Sequence, residues 1–189
     1  MAALQALAAD VKSMLGPTSK ITYAADWSEY FGHQPADGSG DVFFHLDPLW
    51  ASPAIDAVAI DCYWPLADWR DGAAHLDRLA GARSVHDLDS LKSNIAAGEG
   101  YDWYYANAGD RDSQLRSPIN DGVAGKPWVF RYKDMKSWWS NAHFDRPGGV
   151  ETSSSTAWVP QSKPVWFTEL GCPAVDKGAN QPNVFVDPK

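Results

Sequence analysis

The chain contains no apolar run that approaches the ~20 residues required to span a bilayer, so no membrane-spanning helix is expected. Positive charge is also in short supply. Sixteen basic residues face 24 acidic ones, for a net charge of −8, and the two signs are mixed along the chain. A nucleic-acid partner would require a basic stripe, and none is present. Cysteine is scarce: Cys62 and Cys172 make neither a disulfide framework nor a metal-ligand spacing. His33, His45, His75, His86 and His143 are scattered without metal-type spacing and read as non-ligands, so neither metal nor cofactor is expected. Met1–Leu15 does not read as a secretory leader, because no basic segment leads it and Asp10 and Lys12 interrupt it.

What the chain does have is aromatic side chains. Ten Trp, seven Tyr and seven Phe stand in 189 residues, within an otherwise ordinary globular composition of 44% hydrophobic and 21% charged residues. A plain core would use more Leu, Ile and Val, because large rings with polar handles are hard to bury completely. Rings interleaved with Asp, Asn and Arg suit a cleft whose ligand has flat apolar faces and a polar rim, as sugars do. They also suit a surface that docks other proteins.

Hydrophobic periodicity gives the coarse organisation. Leu4, Leu7, Ala8, Val11 and Leu15 form one stripe of an amphipathic helix that Gly16-Pro17 stops. Strands are expected at Lys20–Trp27, Ile55–Trp64 and Lys163–Leu170, the last ended by Gly171 and Pro173. In the long connection, helices are expected near Asp87–Ala97, with Leu88, Leu91 and Ile95 on one face, and near Asp134–Asn141. Between them lie an aromatic cluster from Tyr101 to Tyr105 and a short apolar run at Trp128–Tyr132. Gly148–Thr156 reads as a loop, and Val175–Lys189 has little periodicity. Three strands, nearly continuous in apolar residues and joined by long, partly helical connections, argue for parallel βα units covered on both faces.

The polar residues gather at the carboxyl ends of those strands, which is where (β/α)₈ barrels carry their chemistry. Glu169 ends an apolar strand and suits a nucleophile or general base; a structural pair with Arg or Lys is the plainer reading. Asp26 and Asp61 suit recognition of sugar hydroxyls, or caps on the segments that follow. Tyr63 suits a donor that orients Glu169, or an interior Tyr bonded to backbone. Trp27, Trp64 and Trp69 lie just past strand ends, where they could stack on sugar rings or form a hydrophobic lid. Arg131, Lys133, Trp138 and Trp139 could assist, although FRYKDMKSWW also reads as a helix start with a packed aromatic face.

The strings KITYAADWSEYFGH, AIDCYWPLADWRDG, GEGYDWYYAN, KPWVFRYKDMKSWW and KPVWFTELGCPAVDKGANQPNVFVDPK extend over essentially the whole chain. Together they resemble the TIM-barrel-like domain of gene transfer agent and phage tail host-specificity proteins, which is similar to the clan A retaining glycoside hydrolases. The resemblance implies an α/β fold, a (β/α)₈ TIM barrel represented here by about strands five to seven, in one domain incomplete at both ends. YAADW, IDCYWPL and FTELG take the places of the fifth-, sixth- and seventh-strand motifs. By that resemblance Glu169 stands at the nucleophile position and Tyr63 at its hydrogen-bonding partner. The fourth-strand motif that carries the acid/base Glu in such barrels has no counterpart, and in this register it lies upstream of Met1. The implied activity is binding or retaining hydrolysis of a cell-envelope glycan, in a phage-like tail made in the bacterial cytoplasm, beside other tail proteins. A non-catalytic carbohydrate-binding or structural module of the tail is the alternative.

Overall fold

A computed structural model describes residues 1–122 and 124–184; Val123 and the last five residues of the expected irregular tail lie outside the described residues. The chain divides into two compact units, one of Met1–Cys62 with Met135–Glu169, the other of Tyr63–Asp134 with the segment from Leu170 onward.

The first unit is built on a three-stranded sheet of β1 (Ala24–Asp26), β2 (Val58–Cys62) and β5 (Val165–Leu170), in the order β1-β2-β5. β1 and β2 run parallel, with Ala24, Ala25 and Asp26 opposite Ala59, Ile60 and Asp61. On the other side, the Val58 N–H donates to the Pro164 carbonyl (2.9 Å), and Thr168 reaches Asp61. β5 therefore runs in the same direction, with Val58 opposite Val165. The expected strands are present in the expected order, but shorter. The Lys20–Trp27 strand shrinks because Ile21 and Thr22 are held by Asp56 and the Ala57 carbonyl instead of by a regular ladder. The Ile55–Trp64 strand keeps its middle five residues. That middle strand is the core: Ala57, Val58, Ala59 and Ile60 are fully buried, as an apolar run between two parallel neighbours should be.

Helix α1 (Ala2–Leu15) ends at Gly16, whose φ of 82° suits a residue without Cβ. Its buried seam differs from the apolar stripe. Leu7 and Leu15 are exposed, and the side that packs carries Leu4, Gln5, Ala8, Val11 and Lys12. Polar anchors rotate it: Gln5 donates to the Pro48 carbonyl (2.8 Å), and Lys12 pairs with Asp56 (2.7 Å) just ahead of β2. Lys12 lies near the end of α1 and Asp56 near the start of β2. The helix thus runs against the strands, and its first turn stands at their carboxyl ends.

Short α2 (Asp47–Trp50) and α6 (Met135–Ser140) close an aromatic core of Tyr30, Phe44, Trp50, Trp138 and Trp158. Within it His143, fully buried, lies between the stacked rings of Phe44 (4.4 Å) and Trp158 (5.5 Å). Its Nδ1 meets the buried Asp47 carboxyl at 2.9 Å, and its Nε2 donates to the Trp138 carbonyl at 2.8 Å. Thr156 also donates to Asp47. Burial pushes the Asp47 carboxyl up, against the opposing pull of His143 and Thr156. At the sheet's base, the Trp139 indole donates to the Lys163 carbonyl (2.7 Å), and Lys163 binds the Ser52 and Ile55 carbonyls.

In the second unit, α3 (Leu76–Leu79), α4 (Leu88–Ser93) and α5 (Ala108–Ser113) are each short and side-chain capped, by His75, Asp87 and Asn107. The helix expected at Asp87–Ala97 is therefore α4 followed by a 3₁₀ turn, and its supposed apolar face is open, with Leu88 and Ile95 exposed. The apolar run near Trp128 is a 3₁₀ turn, Pro127–Phe130. A two-residue antiparallel pair, β3 (Trp103–Tyr104) with β4 (Ser117–Pro118), is too short to leave a periodic signal. Gly100 is required where it stands: its φ is 82°, and a Cβ there would collide with the Tyr132 ring.

Candidate functional site

Parallel pairing brings several of the expected residues to one edge of the first unit's sheet. Asp26, Asp61 and Thr168 occupy one row across β1, β2 and β5, since Asp26 is opposite Asp61 and Thr168 donates to the Asp61 carboxyl at 2.7 Å. The next row, one residue further, is Trp27, Cys62 and Glu169: the Trp27 N–H donates to the Asp61 carbonyl (3.1 Å), which continues the β1–β2 ladder. Successive rows alternate between the two faces of a sheet. Glu169 is thus in register with Trp27 across the buried Cys62, on the opposite face from Asp26 and Asp61. Strand spacing of about 4.8 Å puts Trp27 and Glu169 roughly 10 Å apart.

The individual environments differ. Asp26 is exposed and accepts from both the backbone N–H (2.8 Å) and the hydroxyl (2.5 Å) of Ser28, so it closes the turn that follows β1. Asp61 is half-buried and held by Thr168. Trp27 is half-buried, and Glu169 is exposed along with most of β5, including Trp166 and Phe167.

Tyr63, Trp64 and Trp69 belong to the second unit and are half-buried there. Trp69 is clamped: its N–H donates to Asn180 Oδ1 (3.0 Å), and Asn180 Nδ2 donates back to the Trp69 carbonyl (2.8 Å). Its ring meets His75 edge to face at 4.4 Å. This ring packs on His75 within the second unit.

Beside Trp69 lies a polar network with no local sequence signature. The buried Asp68 carboxylate accepts from Tyr105 (2.6 Å), Gln114 (2.8 Å) and Arg116 (2.7 Å) on one oxygen, and pairs with Arg70 (2.8 Å) through the other. Arg116 also reaches Asp77 (3.0 Å) and lies over the Trp103 ring at 4.0 Å. Burial, then the hydrogen bond to Asp68, pushes the Tyr105 phenol up to about 12. Burial opposes the Arg116 charge, but the bonds to Asp68, Tyr105 and Asp77 outweigh it and raise its pKa. Arg111 makes a two-pronged pair with Glu99. A cavity of about 260 Å³ opens among Asp77, Glu99, Trp103, Arg116 and Lys133. Lys133, which the sequence offered either as an assisting residue or as part of a helix start, is buried and donates to the Asn94 and Ala97 carbonyls.

No group of three or more metal-ligating side chains occurs among the described residues, and none of their helices is long and apolar enough to cross a membrane. No curated protein sequence matches the chain. A parallel sheet whose polar groups gather at its carboxyl edge is the arrangement of barrel-type α/β domains, and the profile of the GTA TIM-barrel-like domain matches residues 1–189, so the chain belongs to that family.

Proposed function

We propose that this domain is a glycoside hydrolase-like module of a gene transfer agent or phage-like tail, built on consecutive strands of a (β/α)₈ barrel, that engages a cell-envelope glycan beside other tail proteins. The observation that carries the reading is the row Trp27–Cys62–Glu169 at the carboxyl edge of the parallel sheet. An aromatic ring and a carboxylate in register on one face supply what a pyranose requires: a flat apolar surface and an anionic oxygen beside it. In the retaining mechanism the Glu169 carboxylate attacks the anomeric carbon as the glycosidic C–O bond breaks. The leaving oxygen takes its proton from a second carboxyl group about 5 Å away.

A second reading, a carbohydrate-binding module without turnover, is favoured by one specific observation. Asp26 and Asp61 lie on the other face of the sheet and are bonded to Ser28 and Thr168, so neither is placed as the acid partner of Glu169.

The two readings separate on an activated substrate. A 2,4-dinitrophenyl 2-deoxy-2-fluoroglycoside needs little acid assistance, and it traps the glycosyl-enzyme. Across a panel of such glycosides, the enzyme reading expects one to add a single fluoroglycosyl mass to the peptide containing Glu169, and Glu169→Gln to abolish that label. Glycan binding with no label on Glu169 leaves the binding module.

A further inference from the structure

The loop after β1 forms a second feature at the carboxyl end of the sheet. Ser28 to Gln34 and the His45 region enclose a cavity of about 650 Å³ in the first unit, lined chiefly by Glu29, Phe31, Gly32, His33, Gln34 and His45. That size falls within the roughly 300–1,000 Å³ of small-molecule pockets. The walls are held in place by backbone pairing: His33 and Phe43 exchange both bonds of an antiparallel bridge, at 2.7 and 2.9 Å. The bridge sets His33 and His45 in a stack at 5.4 Å, and Phe43 backs His45 at 5.3 Å. Both imidazoles are exposed. Glu29 contributes a carboxylate to the lining, and Tyr23 donates to it at 3.4 Å.

The geometry points to a distal sugar subsite in this cavity, taking one or two pyranose rings of a glycan that also passes the Trp27–Glu169 row. Three physical points support it. The stacked rings offer a flat, weakly polar face of the kind that sugar C–H surfaces cover. Glu29 and Gln34 supply acceptors and donors for the hydroxyl rim. Position is the third: Glu29 and Tyr30 bond back to the Asp26 carbonyl, so the cavity begins within a turn of the strand end. Its lining includes Ser28, the residue after Trp27, so it adjoins the Trp27 end of the row. The ligand class is a neutral oligosaccharide, since the only charged side chain among these lining residues is Glu29.

This inference rests on the glycan reading above, and one experiment separates the two. The 189-residue chain is titrated with β-1,4-linked hexasaccharides and disaccharides of glucose, mannose and N-acetylglucosamine while the histidine side-chain resonances are followed by NMR. The expected result is that one hexasaccharide shifts His33 and His45, and that His33→Ala with His45→Ala weakens its binding about 10-fold when read by tryptophan fluorescence; the matching disaccharide, too short to span both sites, binds wild type more weakly than the hexasaccharide. Glu29→Gln, which leaves the ring stack intact, should weaken the same hexasaccharide. Equal hexasaccharide binding by wild type and both variants overturns the subsite and leaves the glycan reading standing. Failure of every hexasaccharide to shift any histidine resonance overturns the subsite, and failure of every one to change tryptophan fluorescence as well overturns both.

Discussion

Asp68→Asn tests whether the second unit is organised by its buried carboxylate. The substitution keeps shape and one acceptor, but places an NH₂ group among donors: Tyr105, Gln114, Arg116 and Arg70 all point hydrogens at Asp68. At least one charge-assisted bond is lost, Arg70 loses its counter-charge, and Arg116 keeps only Asp77. Removing one partner of a buried ion pair costs about 3–5 kcal/mol. The side chains of Arg116 and Arg70 are 23% and 31% exposed, so water recovers part of that, and the low end, about 3 kcal/mol, applies. For a chain of this length each kcal/mol moves Tm by about 2–4 °C, which gives a fall of roughly 6–12 °C. A second readout is specific to the network. Asp68 helps hold the Tyr105 phenol up at about 12, whereas Arg116 pulls it down. Without the carboxylate, Tyr105 should titrate closer to the ordinary value of about 10. Calorimetry measures the first effect, and ultraviolet titration against a Tyr105→Phe control measures the second. A Tm within 1 °C of wild type, with Tyr105 still titrating near 12, would refute the reasoning.

Other expectations follow from the same coordinates. Hydrogen bonds from Lys12 and the Ile21 N–H hold the Asp56 carboxyl well below the usual range, so its stabilisation is complete above about pH 4 and lost as pH falls below that; Asp56→Asn should flatten the acid limb of stability against pH in chemical denaturation. Because the Tyr105 pKa is raised, its contribution is complete below about pH 10 and disappears between there and about 12; Tyr105→Phe should remove that alkaline loss from the same kind of curve. In a tryptophan-fluorescence titration with a bound oligosaccharide, Trp27→Ala should remove the response, whereas Trp69→Ala should lower stability because it removes the ring that packs edge to face on His75. Trp166, Phe167 and Leu170 leave β5 apolar and exposed at a sheet edge, which favours self-association; Phe167→Lys should shift size-exclusion elution towards the monomer, and an unchanged profile would count against the edge as the cause.

The parts of the fold legible in the sequence were those with a local period. The alternation in KITYAADW and the continuous apolar run in AIDAVAIDCYW marked β1 and β2, and Gly16-Pro17 marked the end of α1. Which side of α1 is buried was less legible, because Gln5 and Lys12 outweigh Leu7 and Leu15 by finding partners on other elements. For the candidate site, the carboxyl-edge placement of Asp26, Asp61 and Glu169 followed from strand ends. Their division between two faces depends on register between strands more than a hundred residues apart, which no local pattern carries. The Asp68 network escaped for the same reason: Arg116 and Gln114 lie 48 and 46 residues from Asp68. His143 looked like one more scattered histidine, since neither Asp47 nor Thr156 is its neighbour in sequence.

The hydrogen bond between Thr168 and Asp61 has a consequence beyond its own strength. β5 is an edge strand whose side chains are largely in solvent, so its alignment on β2 rests mainly on hydrogen bonds. A slide of one residue would turn every side chain of the strand to the opposite face, and Glu169 would exchange sides with Thr168. The Thr168 hydroxyl meets Asp61 only in the present alignment, and so works as a ratchet tooth. Together with the anchors at Lys163 and Pro164, it holds the register that sets the side of the sheet on which Glu169 lies.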